Sequence, residues 1–258
     1  MSRRSNRFKF IIVFLVIFSL AVVAQYFSQI FVQAETLAGV QPAIVTTTST
    51  SRSIVVFPDA NTTGTQNPVP GLPVDARPQG IAYAGNDRAL IADFQTGRIF
   101  VVNPTTSALI STIDTTGGQG TYDGTGSIAV SPDGTTAIAS GSFSSYHVLT
   151  APFGPSSTRT LIPMPGFIQG FQSQAIVFNS AGRAFIYHFN GISVVDAPYT
   201  SISFTIPVTG NVGGSIAITP DGNTLLVTTR SGNQVQIFQG PFSSSSTSTS
   251  LTIPGGTQ

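Results

Sequence analysis

The sequence predicts an all-β chain in which one antiparallel four-stranded sheet is written several times over. Three observations carry this. The first is a strand–turn–strand cell at Ser215 to Thr228, where Ile216 and Ile218 alternate with smaller residues at the period of two a strand requires. Pro220 presets φ, Asp221 bonds its own backbone and Gly222 accepts positive φ, so Pro-Asp-Gly reads as the turn before Leu225-Leu226-Val227. The second is recurrence. Copies lie at Ser127 to Ala139, Ala175 to Tyr187 and Gly80 to Ala92, and Tyr83, Val130, Phe178 and Ile218 align without gaps into the following strand at spacings of 47, 48 and 40 residues. The third is an independent marker in the same rhythm. Pro58, Pro104, Pro152, Pro198 and Pro241 each follow a short apolar run, at spacings of 46, 48, 46 and 43. A period of ~40–50 residues with about four strands per repeat is the signature of a β-propeller.

Taken in order, the chain opens on Arg3, Arg4, Arg7 and Lys9, followed by an apolar run from Phe10 to Ala24 broken only by Ser19. A basic segment and a short apolar core form an export signal, here expected to be helical. Residues 1–34 are a cleaved signal peptide, with Ala24 or Ala34 at the cut, or an uncleaved anchor over residues 10–32. Residues 35–52, with Thr46-Thr47-Thr48-Ser49-Thr50-Ser51, read as a linker. The repeats occupy 53–258: an incomplete first blade at 53–72, then blades at 79–118, 126–166, 174–211 and 214–256. In the incomplete blade Ser53 to Phe57 is expected as a third strand, with a short fourth near Val69. The count comes to about four and a half blades, and an open edge invites aggregation, so a truncated six- to eight-bladed propeller is expected. No stretch beyond the export signal carries the 3.6 period of a helix.

Composition narrows function. Charged residues make up 8% of the chain, Lys9 is the only lysine and there is no cysteine. From residue 35 onward seven arginines face ten acidic residues, 7 − 10 = −3, so no basic face exists to hold a nucleic acid. Absence of cysteine removes disulfides, thiol nucleophiles and cysteine-based metal sites.

Gly-Ser-Ile-Ala-Val-Ser-Pro-Asp-Gly-Thr at residue 126 and its copy at residue 214 resemble the YVTN-type repeats of exported bacterial and archaeal β-propellers, and are similar to the broader WD-repeat-like superfamily. The resemblance covers roughly residues 53–256 and implies a rigid ring with variable loops. The name-giving Tyr-Val-Thr-Asn segment has Leu226-Val227-Thr228-Thr229 as its nearest match. By analogy with propellers, the first strand of each blade lines a central channel.

Loops before each first strand and between second and third strands fall on one face of a propeller. These carry Asp75, Arg77, Asp93, Gln95, Asp123, Tyr146, Asn190 and Arg230, with His188 at the end of a second strand. They are the candidate ligand residues; solvated loop polarity is the simpler reading. His147 and His188 are the only histidines and no spacing pairs them. Asp133 and Asp221 sit in turns that choose aspartate for turn chemistry, and no calcium-loop pattern is present. The run Gly117 to Gly124 lacks the lysine and helix of a phosphate cradle, no Gly-x-Ser-x-Gly elbow occurs, and Ser243 to Ser250 reads as a flexible outer loop. No catalytic set, metal or cofactor is expected. The reading is an exported, non-catalytic binding or scaffolding module, secreted, periplasmic or at the cell surface. Its expected partner is a protein, peptide or glycan on the loop face, and it meets a membrane only through an uncleaved N-terminal segment. The alternative is a lactonase-like or other propeller hydrolase with catalytic groups partly in missing blades; such an enzyme would gather His188 and carboxylates at the channel mouth.

Overall fold

The computed structural model describes residues 43–46, 53–57, 65–85, 87–93, 95–115, 126–141, 145–163, 175–210, 214–229 and 233–253. The stretch read as an export signal therefore lies outside the described residues. Contacts group residues 44–56 and 64–258 into one unit; of the other unit, 1–43 with 57–63, only Ala43 and Phe57 are described.

All regular structure among the described residues is strand. Three strands, β1 (Ala43–Thr46), β2 (Ser53–Phe57) and β3 (Thr65–Pro68), form an N-terminal sheet in that order. β1 falls inside the stretch read as linker, and β3 ends just before Val69. Four sheets of four strands follow. Blade 1 is β4 (Pro78–Tyr83), β5 (Ala89–Asp93), β6 (Arg98–Val102) and β7 (Leu109–Asp114). Blade 2 is β8 (Ile128–Val130), β9 (Thr136–Ser140), β10 (Ser145–Thr150) and β11 (Arg159–Pro163). Blade 3 is β12 (Ala175–Phe178), β13 (Ala184–His188), β14 (Gly191–Val195) and β15 (Phe204–Ile206). Blade 4 is β16 (Ile216–Ile218), β17 (Thr224–Thr228), β18 (Gln234–Gln239) and β19 (Ser248–Thr252). Each is an antiparallel meander, and the first strands β4, β8, β12 and β16 lie side by side in succession. This is the expected propeller arrangement of blades. One expectation fails: three of the eight residues of the serine-rich run read as an outer loop are strand, because Ser248, Thr249 and Ser250 pair with Phe238, Ile237 and Gln236.

The turns between first and second strands explain the repeat and correct its alignment. In blade 2, Ser131 N donates to Thr136 O at 2.8 Å and Asp133 accepts from Thr135 N at 3.0 Å. In blade 4, Thr219 N donates to Thr224 O at 2.9 Å and Asp221 accepts from Asn223 N at 3.1 Å. Gly134 and Gly222 take φ of 71° and 72°, which side chains disfavour. Hydrogen bonds hold the Asp133 and Asp221 carboxyls below the usual carboxylate range, those from Ser131 and Thr219 first. In blades 1 and 3 the same turn closes one residue sooner, Ala84 N to Arg88 O and Asn179 N to Arg183 O, both at 2.9 Å. The gapless alignment thus breaks inside the hairpin. Tyr83 and Phe178 pair with Ala89 and Ala184, six residues on, whereas Val130 and Ile218 pair with Ala137 and Leu225, seven on. One residue reverses which face a strand side chain takes, so Leu90 corresponds to Ile138, Phe185 and Leu226.

With that register, consecutive blades pack the trailing face of one on the leading face of the next. Leu90, Ile99, Val101 and Ile113 on the trailing face of blade 1 pack on Ile128, Ala137, Ala139 and Leu149 of blade 2. Ile138, Tyr146, Val148 and Ile162 pack on Ile176, Ala184, Ile186 and Val195 of blade 3. Phe185, Ile192, Val194 and Ile206 pack on Ile216, Leu225, Val227 and Phe238 of blade 4. Val69, Leu72 and Ala76 cover the leading face of blade 1. Each buried side chain of this size stabilises by about 1.5–3 kcal/mol.

The proline marker has a packing reason. The residue after it in blades 2, 3 and 4 is aromatic, and each ring enters a core between blades: Phe153 that of blades 1 and 2, Tyr199 that of 2 and 3, Phe242 that of 3 and 4. Tyr199 meets Phe178 edge-on at 5.8 Å, and Phe242 meets Phe185 at 5.2 Å. Tyr199 takes a φ of 61°, uncommon for a bulky residue, and is fixed by a 2.6 Å bond from its hydroxyl to Gly182 O. The prolines in these three blades follow cis peptide bonds.

Candidate ligand face

The second strand of each blade runs toward the face where ligand residues were sought, and its last residue is polar: Asp93, Ser140, His188 and Thr228. These side chains serve the fold. The buried Asp93 carboxylate accepts from the backbone N of Arg77, from Thr96 N at 2.9 Å and from the Thr96 hydroxyl. It therefore ties the segment before β4 to the turn after β5. Ser140 Oγ accepts from Gly126 N at 3.0 Å and Ser127 N at 2.9 Å. Thr228 Oγ1 accepts from Ser215 N at 2.7 Å. In three blades, then, the strand-end side chain fastens the segment leading into its own first strand.

His188 departs from that pattern. Its ring is buried, Nδ1 accepts from Asn190 N at 3.2 Å, and Nε2 lies 2.6 Å from Ser193 Oγ. With Nδ1 an acceptor, the neutral ring carries its proton on Nε2 and donates to Ser193. That polarity is opposite to a base taking a proton from serine, so the pair is not an activated nucleophile in this state. Burial lowers the His188 pKa to about 4, leaving the ring neutral at physiological pH.

Tyr146 lies in β10, not in a loop. Its ring packs between blades 2 and 3. Among the described residues its hydroxyl finds no hydrogen-bond partner, and burial raises its pKa. Of the remaining candidates, Asp75, Arg77 and Asn190 are exposed and Gln95 is half-buried in the turn after β5. Asp123 and Arg230 lie outside the described residues. Among the described residues Arg77 is linked with Asp93 through the Arg77 backbone, and His188 with Asn190. His147 is fully buried in β10.

Two loop-face residues were not singled out. Val74 is 85% exposed and Phe189 39% exposed. Val74 sits between Leu72 and Ala76, both turned into the core, so alternation sends it outward beside Asp75. Phe189 and Asn190 form the two-residue turn from β13 to β14. Gly191 follows with φ 126°, and a Cβ there would lie 2.3 Å from Ile206 O, which fixes the course of the chain beneath the turn. The signal for Val74 was available: an apolar residue bracketed by Pro73 and Asp75 in a loop has no strand partner to hide it.

Charge elsewhere is committed. Arg183 Nε bonds Asp196 Oδ1 at 2.6 Å and the guanidinium lies 5.7 Å from the Phe204 ring centre, at the opposite ends of these strands. The arginine bond holds Asp196 below the usual carboxylate range. Among the described residues no group of three or more His, Asp or Glu side chains is placed to hold a metal ion.

No protein-family model and no curated protein matches the chain. Among solved structures it is similar to the β-propeller domain of Myceliophteria thermophila Cps50 (Swd1), with 13% identity and a TM-score of 0.61, over 82% of this chain and 71% of that one. At that identity the likeness establishes the fold alone.

Proposed function

We propose that this is an exported, non-catalytic β-propeller that binds a protein, peptide or glycan on its loop face, in the periplasm or at the cell surface. The observation that carries the reading is the division of labour on that face. Asp93, Tyr146 and His188, which would serve an enzyme, are buried, with Asp93 and His188 engaged in backbone contacts, whereas Val74, Asp75, Arg77, Phe189 and Asn190 are presented outward. Exposed apolar residues with polar neighbours suit recognition more than chemistry. Propeller folds commonly lend themselves to scaffolding, and the YVTN-type resemblance supports an exported setting. The basic and apolar N-terminal segment supports export independently.

The test is a screen of the purified chain against glycan and peptide arrays, with Val74→Ala/Asp75→Ala/Arg77→Ala as the comparison variant. Specific binding that drops at least tenfold in the variant is expected. Turnover of simple γ- or δ-lactones by the wild type, abolished in His188→Gln, would overturn the reading in favour of a hydrolase. Export is tested separately by fusing residues 1–34 to a phosphatase active only outside the cytoplasm; an inactive fusion sinks that part.

A further inference from the structure

We infer that the turn carrying Phe189 and Asn190 is an acid-released latch: a neutral His188 ring holds it closed, and a proton on that ring frees it. The turn is fixed from two sides. Beyond it, Gly191 pairs with His188 across the hairpin and sits so close to Ile206 that no larger residue fits. Beneath it lies the buried His188 ring, with Nδ1 accepting from Asn190 N at 3.2 Å and Nε2 lying 2.6 Å from Ser193 Oγ. The first of these bonds needs a neutral ring. An imidazolium donates from both nitrogens and accepts at neither. A proton on Nδ1 would face the Asn190 N–H, donor against donor, in a site closed to water. The ring therefore gains its second proton only as the turn lifts, and the lifted turn lets water reach the ring. The bond to Ser193 survives, because Nε2 donates in both states and the hydroxyl accepts. The ring stays tethered to β14 while the tip moves.

Among the described residues no neighbouring charge overrides this coupling. By alternation His188 shares a strand face with Ala184 and Ile186, which packs on blade 2. The trailing face of blade 2 brings only the Tyr146 phenol, kept neutral by burial, and β12 and β14 bring no ionisable group. Tyr187, the other ionisable residue of β13, turns into the core with blade 4. The sequence of the connections at 142–144 and 164–174 contains no ionisable residue. Burial thus sets the balance: the closed ring has a pKa of about 4, against 6.5 for a histidine in water. The open turn binds the proton more tightly than the closed one, so falling pH moves the turn toward its open form. Phe189 and Asn190 are among the residues offered for recognition, and on that reading acid also loosens a partner from this part of the face.

The experiment uses the full chain in mild detergent. The chain has no tryptophan, so Phe189→Trp places a single reporter on the latch. Its emission should move to the red and its anisotropy fall in one step centred near pH 4, while the far-ultraviolet circular dichroism of the sheets holds. Phe189→Trp/His188→Gln should show no step, and Phe189→Trp/His147→Gln should keep it, these being the two histidines of the chain. A second measurement needs no variant to fold. In the wild type, hydrogen exchange corrected for its intrinsic pH dependence should show residues 187–192 losing about tenfold in protection across the step while the fully buried β9 keeps its own. Flat emission overturns the inference, as does a step that survives His188→Gln. So does a loss of protection or of circular dichroism across all sheets together, which would mean acid unfolding of the whole. An array hit with flat emission leaves recognition standing and removes the latch; a step without an array hit keeps the latch and removes its effect on a partner.

Discussion

His188 shows how a residue's surroundings decide its chemistry. Its folded pKa, about 4, lies below the ordinary histidine value of 6.5, so the unfolded chain binds the proton first. The stability this neutral ring contributes is whole above pH 6.5 and is lost as pH falls toward 4, at about 1.4 kcal/mol per pH unit at most. Between pH 7 and pH 5 the loss should reach about 2 kcal/mol. Urea melts of wild type and His188→Gln at the two pH values check this: the variant should lack that part of the slope. Equal slopes would mean the ring stays solvated. The same burial explains why His188 and Asp93 looked like ligand residues. Sequence places both at the loop end of a second strand, but alternation alone does not say whether a terminal side chain turns outward or fastens the backbone beneath it.

At the scale of the element, strands were largely legible and their pairing offset was not. The repeated cells at Gly80 to Ala92, Ser127 to Ala139, Ala175 to Tyr187 and Ser215 to Thr228 each hold the first two strands of a blade. The alternation between five- and six-residue connections was hidden because the flanking residues, Ala137 and Ala139 among them, are small and fit either face. β1 was missed because Ala43–Thr46 adjoins a threonine–serine tract that reads as low complexity. The proline marker was read as rhythm, whereas its aromatic successor holds two blades together. Phe153, 3% exposed in the core between blades 1 and 2, should cost about 3–5 kcal/mol when truncated in Phe153→Ala. Phe242→Ala, at a half-buried ring, should cost less. Urea denaturation of the two variants orders them, and the reverse order would remove the packing explanation.

At the scale of the whole molecule, stability is passed from neighbour to neighbour. Among the described residues each first strand lies against the first strands next in line, as in other repeat proteins, so a blade leans on its neighbours. β9 and β13 are buried along their whole length, whereas β17 alternates between buried and exposed. Hydrogen exchange followed by mass spectrometry should therefore show amides of β17 and β18 opening before those of β9 and β10. Uniform protection across the four blades would contradict this picture.

The unequal hairpins bear on how such a chain can be rebuilt. A blade is not a freely exchangeable part. Residues 127–141 and 215–229 share the longer connection and a hydroxyl side chain that clasps the preceding segment, so a graft between those two sites keeps inside and outside in place. Transplanting either into the position of residues 80–93 would turn the second strand inside out relative to its new neighbours. The interchangeable module is one blade in every two.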